Sequence, residues 1–316
     1  MRTPVCLLIF NRPHLTRRVF EAIRRVKPQK LYVVADGPRS DHPDDAEKCA
    51  ITRSIIGGVN WDCEISTNYS DSNLGCKKRV SSGLAWVFDR CDEAIFLEDD
   101  CLPDTTFFQF CEQLLEKYRD EQSVSIISGN NFQFGQPRTS HSYYFSRFLH
   151  MWGWASWRRT WQNYDLAMKM WPTLRESNWL NQTLEDPRAV KCWRDIFDRT
   201  YAGTINTWDY QWVFSCWAKD TCAIVPKCNL VSNIGFGDSS ATHTSNHDTL
   251  IGNLPLAAMR FPLVHPPVIV RDKVADQFDF EREYLQEGLR SHKNFLRRSY
   301  RMFNYIPALL RSRILR

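Results

Sequence analysis

Three consecutive carboxylates, Glu98-Asp99-Asp100, follow the apolar run Ala94-Ile95-Phe96-Leu97. A short apolar run of this kind reads as a buried β-strand. Ligands of open α/β sheets bind just beyond the carboxyl ends of such strands. Like charges repel, so three acids at one strand end are costly unless a cation offsets them. Mg²⁺ and Mn²⁺ take oxygen ligands and share them with substrate phosphates. The triplet therefore reads as a seat for Mn²⁺ or Mg²⁺ against a nucleoside diphosphate. The alternative for an acidic triplet is a solvated turn.

Other polar residues stand where neighbouring strands should end. Val5 to Phe10 forms one apolar run, closed by Asn11-Arg12-Pro13, whose backbone donors and Arg12 can meet a nucleotide. Leu31 to Ala35 forms a second, closed by Asp36-Gly37-Pro38. Asp36 can accept hydrogen bonds from a base or ribose, and Gly37 permits close approach. Asn73-Leu74-Gly75-Cys76-Lys77-Lys78-Arg79 is a turn that opens a helix. Basic residues oppose the helix dipole there, so an anion near Lys77 would explain them. A solvated first turn would also do so.

These residues need a frame that brings strand ends together. Helical spacing recurs behind Pro13 (Leu15, Val19, Ala22, Ile23, Val26), around 44–56, and at Val80, Leu84, Val87 and Phe88. Cys63 to Thr67 and Val124 to Ile127 read as further strands, and Asp104 as the cap of a helix faced by Phe107, Phe108, Cys111, Leu114 and Leu115. The alternation predicts an α/β fold, a mainly parallel sheet with helices on both faces. After about residue 130 tryptophan-rich helices and loops replace the alternation. No linker interrupts the chain before about 245. The expected division is one domain over 1–245 and an extension over 246–316, irregular at first and helical over 290–316.

The chain has 316 residues, 43% hydrophobic and 24% charged, enough for a sizeable core. No apolar stretch is long enough for a transmembrane helix, and the first ten residues are too short for a signal-peptide core. Eleven cysteines without a C-x-x-C pair suit a reducing cytoplasm and argue against a zinc ribbon. The net charge of +5 belongs to the end of the chain. Residues 288–316 hold eight Lys or Arg and no acid, which leaves 33 basic against 36 acidic residues elsewhere. A nucleic-acid partner is therefore not expected. The tail's apolar residues Leu296, Tyr300, Phe303, Ile306, Leu310 and Ile314 recur at helical spacing. Such a segment suits peripheral contact with an anionic membrane, at its inner face, or packing on the domain.

The ordered series of motifs resembles the GT-A glycosyltransferases, and within them the N-acetylglucosaminyltransferase I type and its bacterial family-two-like relatives. Asn11-Arg12-Pro13, Asp36-Gly37, Asn73-Leu74-Gly75 and Leu97-Glu98-Asp99-Asp100 carry the resemblance. So do Trp152-Gly153-Trp154, Thr207-Trp208-Asp209-Tyr210-Gln211-Trp212 and Asn233-Ile234-Gly235-Phe236-Gly237. It spans about residues 3–245. It implies a GT-A, Rossmann-like fold and an inverting, metal-dependent transfer from a UDP-sugar, with N-acetylglucosamine first among the sugars. It implies a saccharide or lipid-linked glycan as acceptor. By the same resemblance Asp100 ligates the metal, Glu98 and Asp99 face the ribose or sugar, Asp36 contacts uridine, and Asp209 is the base. The relatives often read Trp-Asp-Asp-Trp; here Trp208-Asp209 is followed by Tyr210-Gln211, so Asp209 keeps its place while the alignment around it is looser.

The chemistry agrees. An inverting transfer needs one base and stabilisation of the leaving diphosphate. A glycosidase would want two opposed carboxylates and no metal cluster. Trp208 and Trp212 could form an apolar wall that raises the basicity of Asp209; an ordinary helix-start Asp is the alternative. His243 is a further metal ligand or a surface histidine. Trp152 and Trp154 offer flat faces to sugar rings or fill a core. The rival functions are a sugar nucleotidyltransferase, which would want a Gly-rich phosphate loop after the first strand, and a non-catalytic glycan- or membrane-binding protein.

Overall fold

The computed structural model describes residues 1–237 and 251–285. The expected metal ligand His243 and the basic tail over 290–316 lie outside the described residues.

The first half alternates as its hydrophobic pattern requires. The strands are β1 (Val5–Ile9), β2 (Lys30–Ala35), β3 (Glu64–Tyr69) and β4 (Glu93–Glu98). The helices are α1 (Pro13–Val26), α2 (Asp45–Ser54) and α3 (Gly75–Phe88). Pro13 opens α1, where its missing N–H costs nothing. The short strand β5 (Cys101–Pro103) leads into α4 (Thr105–Lys117), capped by Asp104, which accepts from the Thr106 amide at 2.9 Å. Then come β6 (Val124–Ser128), β7 (Tyr143–Ser146) and β8 (Trp154–Trp157). The helices α5 (Arg158–Trp161), α6 (Trp171–Arg175), α7 (Trp179–Leu184), α8 (Pro187–Tyr201) and α9 (Asp209–Ala218) follow. β9 (Cys222–Pro226), β10 (Val231–Asn233) and α10 (Lys273–Asp279) complete the described elements.

The large sheet runs β3-β2-β1-β4-β8-β6-β9-β7. β3, β2, β1 and β4 are mutually parallel, β8 is antiparallel to β4 and β6, and β7 is antiparallel to β9. The fold is α/β with a mixed, mostly parallel sheet flanked by helices. The chain builds outward from β1 to β2 and β3, then returns to place β4 on the other side of β1. The reversal lies between β1 and β4, the place where open α/β sheets bind ligands beyond their strand ends.

Side chains of β1 alternate between two cores. Val5, Leu7 and Ile9 join the layer of α1 and α4, whereas Cys6 and Leu8 face α3 and the tryptophan-rich helices. That second layer absorbs Trp154, Trp161, Trp171, Trp193, Trp208, Trp212 and Trp217. Burying an aromatic side chain removes area worth roughly 4–6 kcal/mol before entropy is charged. The tryptophan clustering is thus the glue that fixes α8 and α9 to the sheet. Among the described residues, no helix is long and apolar enough to cross a membrane.

Candidate active site at the β1–β4 reversal

The register of β1 and β4 pairs Leu8 with Glu98, so Phe10–Arg12 and Glu98–Asp100 leave the sheet side by side. Glu98 ends β4, and Asp99-Asp100 are the turn between β4 and β5. β5 pairs with β10, Asn233 opposite Cys101, and the Ile234 amide donates to the Asp100 carbonyl at 2.8 Å. β8 enters antiparallel with Trp154 opposite Phe96, which brings the preceding Trp152-Gly153 towards the same turn.

Arg12 crosses the turn. Its Nη2 is paired with Asp99 and its Nη1 lies 2.9 Å from Asp100 Oδ2. The Phe10 amide also donates to Asp99 Oδ2 at 3.3 Å. Asp99 and Asp100 are buried and Glu98 is half-buried. Burial, then the charges of Asp100 and Asp99, push the Glu98 carboxyl up to about 8; Arg12 opposes the rise and Asp209 adds to it. Burial pushes Asp99 up to about 6 even against the pull of Arg12. Burial is the first cause of both shifts, ahead of the neighbouring charges.

Gly235 closes the turn from the other side. A Cβ on it would stand 2.4 Å from Asp100 Oδ2, so only glycine lets this backbone lie against the carboxylate. Sequence reasoning placed Gly235 in a motif but gave it no such task. Cys76, in the first turn of α3, was also missed. Burial raises its thiol, and the charges of Glu98, Asp209, Asp36 and Asp100 add to the rise, which places it amid the site's acids.

Asp209 opens α9. Its Oδ1 accepts from the Thr207 hydroxyl and from the Tyr210 amide at 2.8 Å. The flanking Trp208 and Trp212 are buried; Trp208 stacks on Trp154 with ring centres 5.9 Å apart. These tryptophans anchor the helix that presents Asp209. Beside them, an open groove of about 470 Å³ is lined by Leu74, Lys78, Ser81, Ser82, Tyr164 and Leu166. The Tyr164 hydroxyl donates to the Trp208 carbonyl at 3.2 Å, so the groove shares a wall with the turn that carries Asp209.

Several expected ligand contacts are taken up by the chain itself. Asp36 is buried and accepts from the amides of Gly37 (2.9 Å), Leu74 (2.8 Å) and Gly75 (3.0 Å) and from Asn73 Nδ2 (3.1 Å). A carboxylate has about four lone-pair sites, so nothing strong is left for a base or ribose. Asp36 instead ties β2 to the start of α3, where Leu74 offers no capping side chain. Asn73 belongs to that knot and also donates to the Gly37 carbonyl at 3.0 Å. Asn11 is buried and donates to Asp45 Oδ1 at 2.7 Å, in a cluster with Arg39 that the sequence did not single out. Arg12 meets carboxylates rather than facing open crevice. Trp154 is a core residue, 1% exposed and stacked on Phe96 at 4.5 Å, because β8 is a central strand covered on both faces. Trp152 is half-buried, packed edge-on against Phe132 and Phe236, and remains at the strand-end surface. Lys77 is half-buried in the first turn of α3.

The donor set suits a hard divalent cation: carboxylate oxygens, buried, with negative charge in excess. Among the described residues no group of three His, Cys, Asp or Glu forms a ready-made cage.

No family model and no curated protein matches the sequence. Solved structures with similar folds include a galactosyltransferase, LgtC, in complex with donor and acceptor sugar analogues. It is 10% identical, with a TM-score of 0.38, over 86% of this chain and 91% of that one. The apo form of mouse xyloside xylosyltransferase 1 is 10% identical, with a TM-score of 0.34, over 68% of this chain and 81% of that one. UDP-glucose pyrophosphorylase bound to UDP-glucose is 12% identical, with a TM-score of 0.28, over 46% of this chain and 62% of that one.

Proposed function

We propose that this protein is a glycosyltransferase that uses a nucleoside-diphosphate sugar, with UDP-N-acetylglucosamine the first donor to test and a saccharide or lipid-linked glycan as acceptor. One observation carries the reading. Glu98, Asp99 and Asp100 gather at the β1–β4 reversal with one counter-charge, Arg12, and within electrostatic reach of Asp209. A cation-assisted diphosphate site next to a single separate carboxylate is what an inverting displacement requires.

In this reading Asp100 would hold Mn²⁺ or Mg²⁺ together with the donor's diphosphate. The metal would supply charge neutralisation of the leaving diphosphate. Asp209 receives the proton of the acceptor hydroxyl; its carboxylate is fixed by Thr207 and the Tyr210 amide. The acceptor oxygen bonds to the anomeric carbon as the bond to the diphosphate breaks, and the diphosphate leaves with the electron pair. Trp152 stands at the mouth as a sugar-facing surface. The groove beside Tyr164 is the place for the acceptor.

The test uses radiolabelled nucleotide sugars with Mn²⁺, and calorimetry with UDP. Asp100→Ala should abolish metal-dependent UDP binding and turnover; undiminished activity in that variant or in EDTA refutes the metal role. Asp209→Asn should lower kcat by about 10² or more with UDP affinity unchanged. A collapse of UDP affinity in that variant would make Asp209 a binding residue.

A further inference from the structure

We infer that Arg12 is a displaceable counter-ion: its guanidinium occupies the cation's side of Asp100, and cation binding turns it towards the donor diphosphate. This rests on reading the acidic turn as a cation and diphosphate site. The geometry divides the Arg12 fork into a fixed and an exchangeable half. On Asp99 the contact is reinforced, since that carboxylate also accepts from the Phe10 amide at 3.3 Å. On Asp100 it is not. Among the described residues, the Asp100 carboxylate has the Nη1 contact at 2.9 Å on Oδ2 and only the weak Cys101 thiol at 3.5 Å on Oδ1.

Asp100 is also the partner less able to move. Its carbonyl is held by the Ile234 amide, and the Gly235 backbone lies against its carboxylate. Arg12 sits in the loop before Pro13, and its side chain keeps 15% of its surface exposed. A cation arriving at Asp100 therefore competes with Nη1, while Nη2 remains tethered to Asp99. The freed Nη1–H is a donor suited to a phosphate oxygen. Arg12 is in this sense a positioning residue that exchanges one anion for another.

The consequence is an opposed pair of affinities, which a merely structural arginine would not produce. Arg12→Gln removes the competitor for Asp100 and also a donor to the diphosphate. Calorimetry with Mn²⁺ alone should show the variant binding about tenfold more tightly than wild type, and UDP at saturating Mn²⁺ about tenfold more weakly, each the scale of one charge-assisted hydrogen bond. Arg12→Lys keeps the charge without the fork, so its Mn²⁺ affinity should fall between the two. It also carries the measurement if circular dichroism shows the Gln variant unfolded. Mn²⁺ affinity equal to or below wild type in folded variants overturns the displacement, even where UDP binding falls. If wild type and variants all ignore Mn²⁺ with UDP present, the cation reading itself fails and takes this inference with it.

Discussion

Replacing Asp36 separates a residue that binds ligand from one that binds its own chain. Both carboxylate oxygens are engaged by four donors at 2.8–3.1 Å, three of them backbone amides at Gly37, Leu74 and Gly75. A buried donor left without a partner costs about 1–3 kcal/mol. Water can reach some of this loop, because Leu74 is 41% exposed. Summing the amides at the lower end, and adding the lost dipole complement at the start of α3, gives about 3–5 kcal/mol for Asp36→Ala. That is a large part of the 5–15 kcal/mol typical of a folded domain. Asp36→Asn keeps one acceptor oxygen and should lose about half as much. Urea unfolding followed by tryptophan fluorescence measures the difference, with an unchanged slope confirming that the folded state is the same. UDP affinity in the Asn variant should stay within about twofold of wild type. A loss below about 0.5 kcal/mol, the range of an inert surface change, refutes the capping role. Intact stability with abolished UDP binding would restore the ligand role that the sequence suggested.

Two further outcomes test the electrostatics and packing of the acidic turn. The Glu98 carboxyl is raised to about 8, so the stability linked to its proton is present below the ordinary carboxyl range and is lost as pH rises through about 8. Without metal, Glu98→Gln should therefore gain in Tm relative to wild type between about pH 5 and about pH 9; a Tm difference that stays flat with pH refutes it. Gly235→Ala places a Cβ 2.4 Å from Asp100 Oδ2. It should cost about 1–3 kcal/mol and weaken Mn²⁺-dependent UDP binding, and a variant unchanged in both calorimetry and unfolding would show that the close approach is dispensable.

The parallel half of the sheet was legible because β1, β2 and β4 carry continuous apolar runs and α1 keeps a clear 3.6-residue pattern. The strand expected over Cys63–Thr67 appears as Glu64–Tyr69, displaced because an edge strand lacks the two-sided burial that makes a boundary visible. The antiparallel insertion of β8 between β4 and β6 was not legible. Trp154-Ala155-Ser156-Trp157 is four residues long and looks like any aromatic segment. Once β8 is central, Trp154 must be core, and Trp208 and Trp212, buried against it, anchor α9.

The site residues divided by a rule the sequence does not display. A polar residue at a strand end can face ligand or can satisfy the backbone that turns there, and the two demands call for the same residue types. Asp36 and Asn73 fell to the backbone, and Asn11 to a second acid, Asp45, because their loops bring these partners within reach. Glu98, Asp99 and Asp100 did not, because three acids exceed what one arginine and one amide can satisfy. Burial, and then the charges of Asp100 and Asp99, raise the Glu98 carboxyl above the ordinary carboxylate range. A structural role would have been served by fewer charges. The surplus is therefore the feature of this turn that local architecture leaves unexplained, and the divalent cation proposed for Asp100 would offset it.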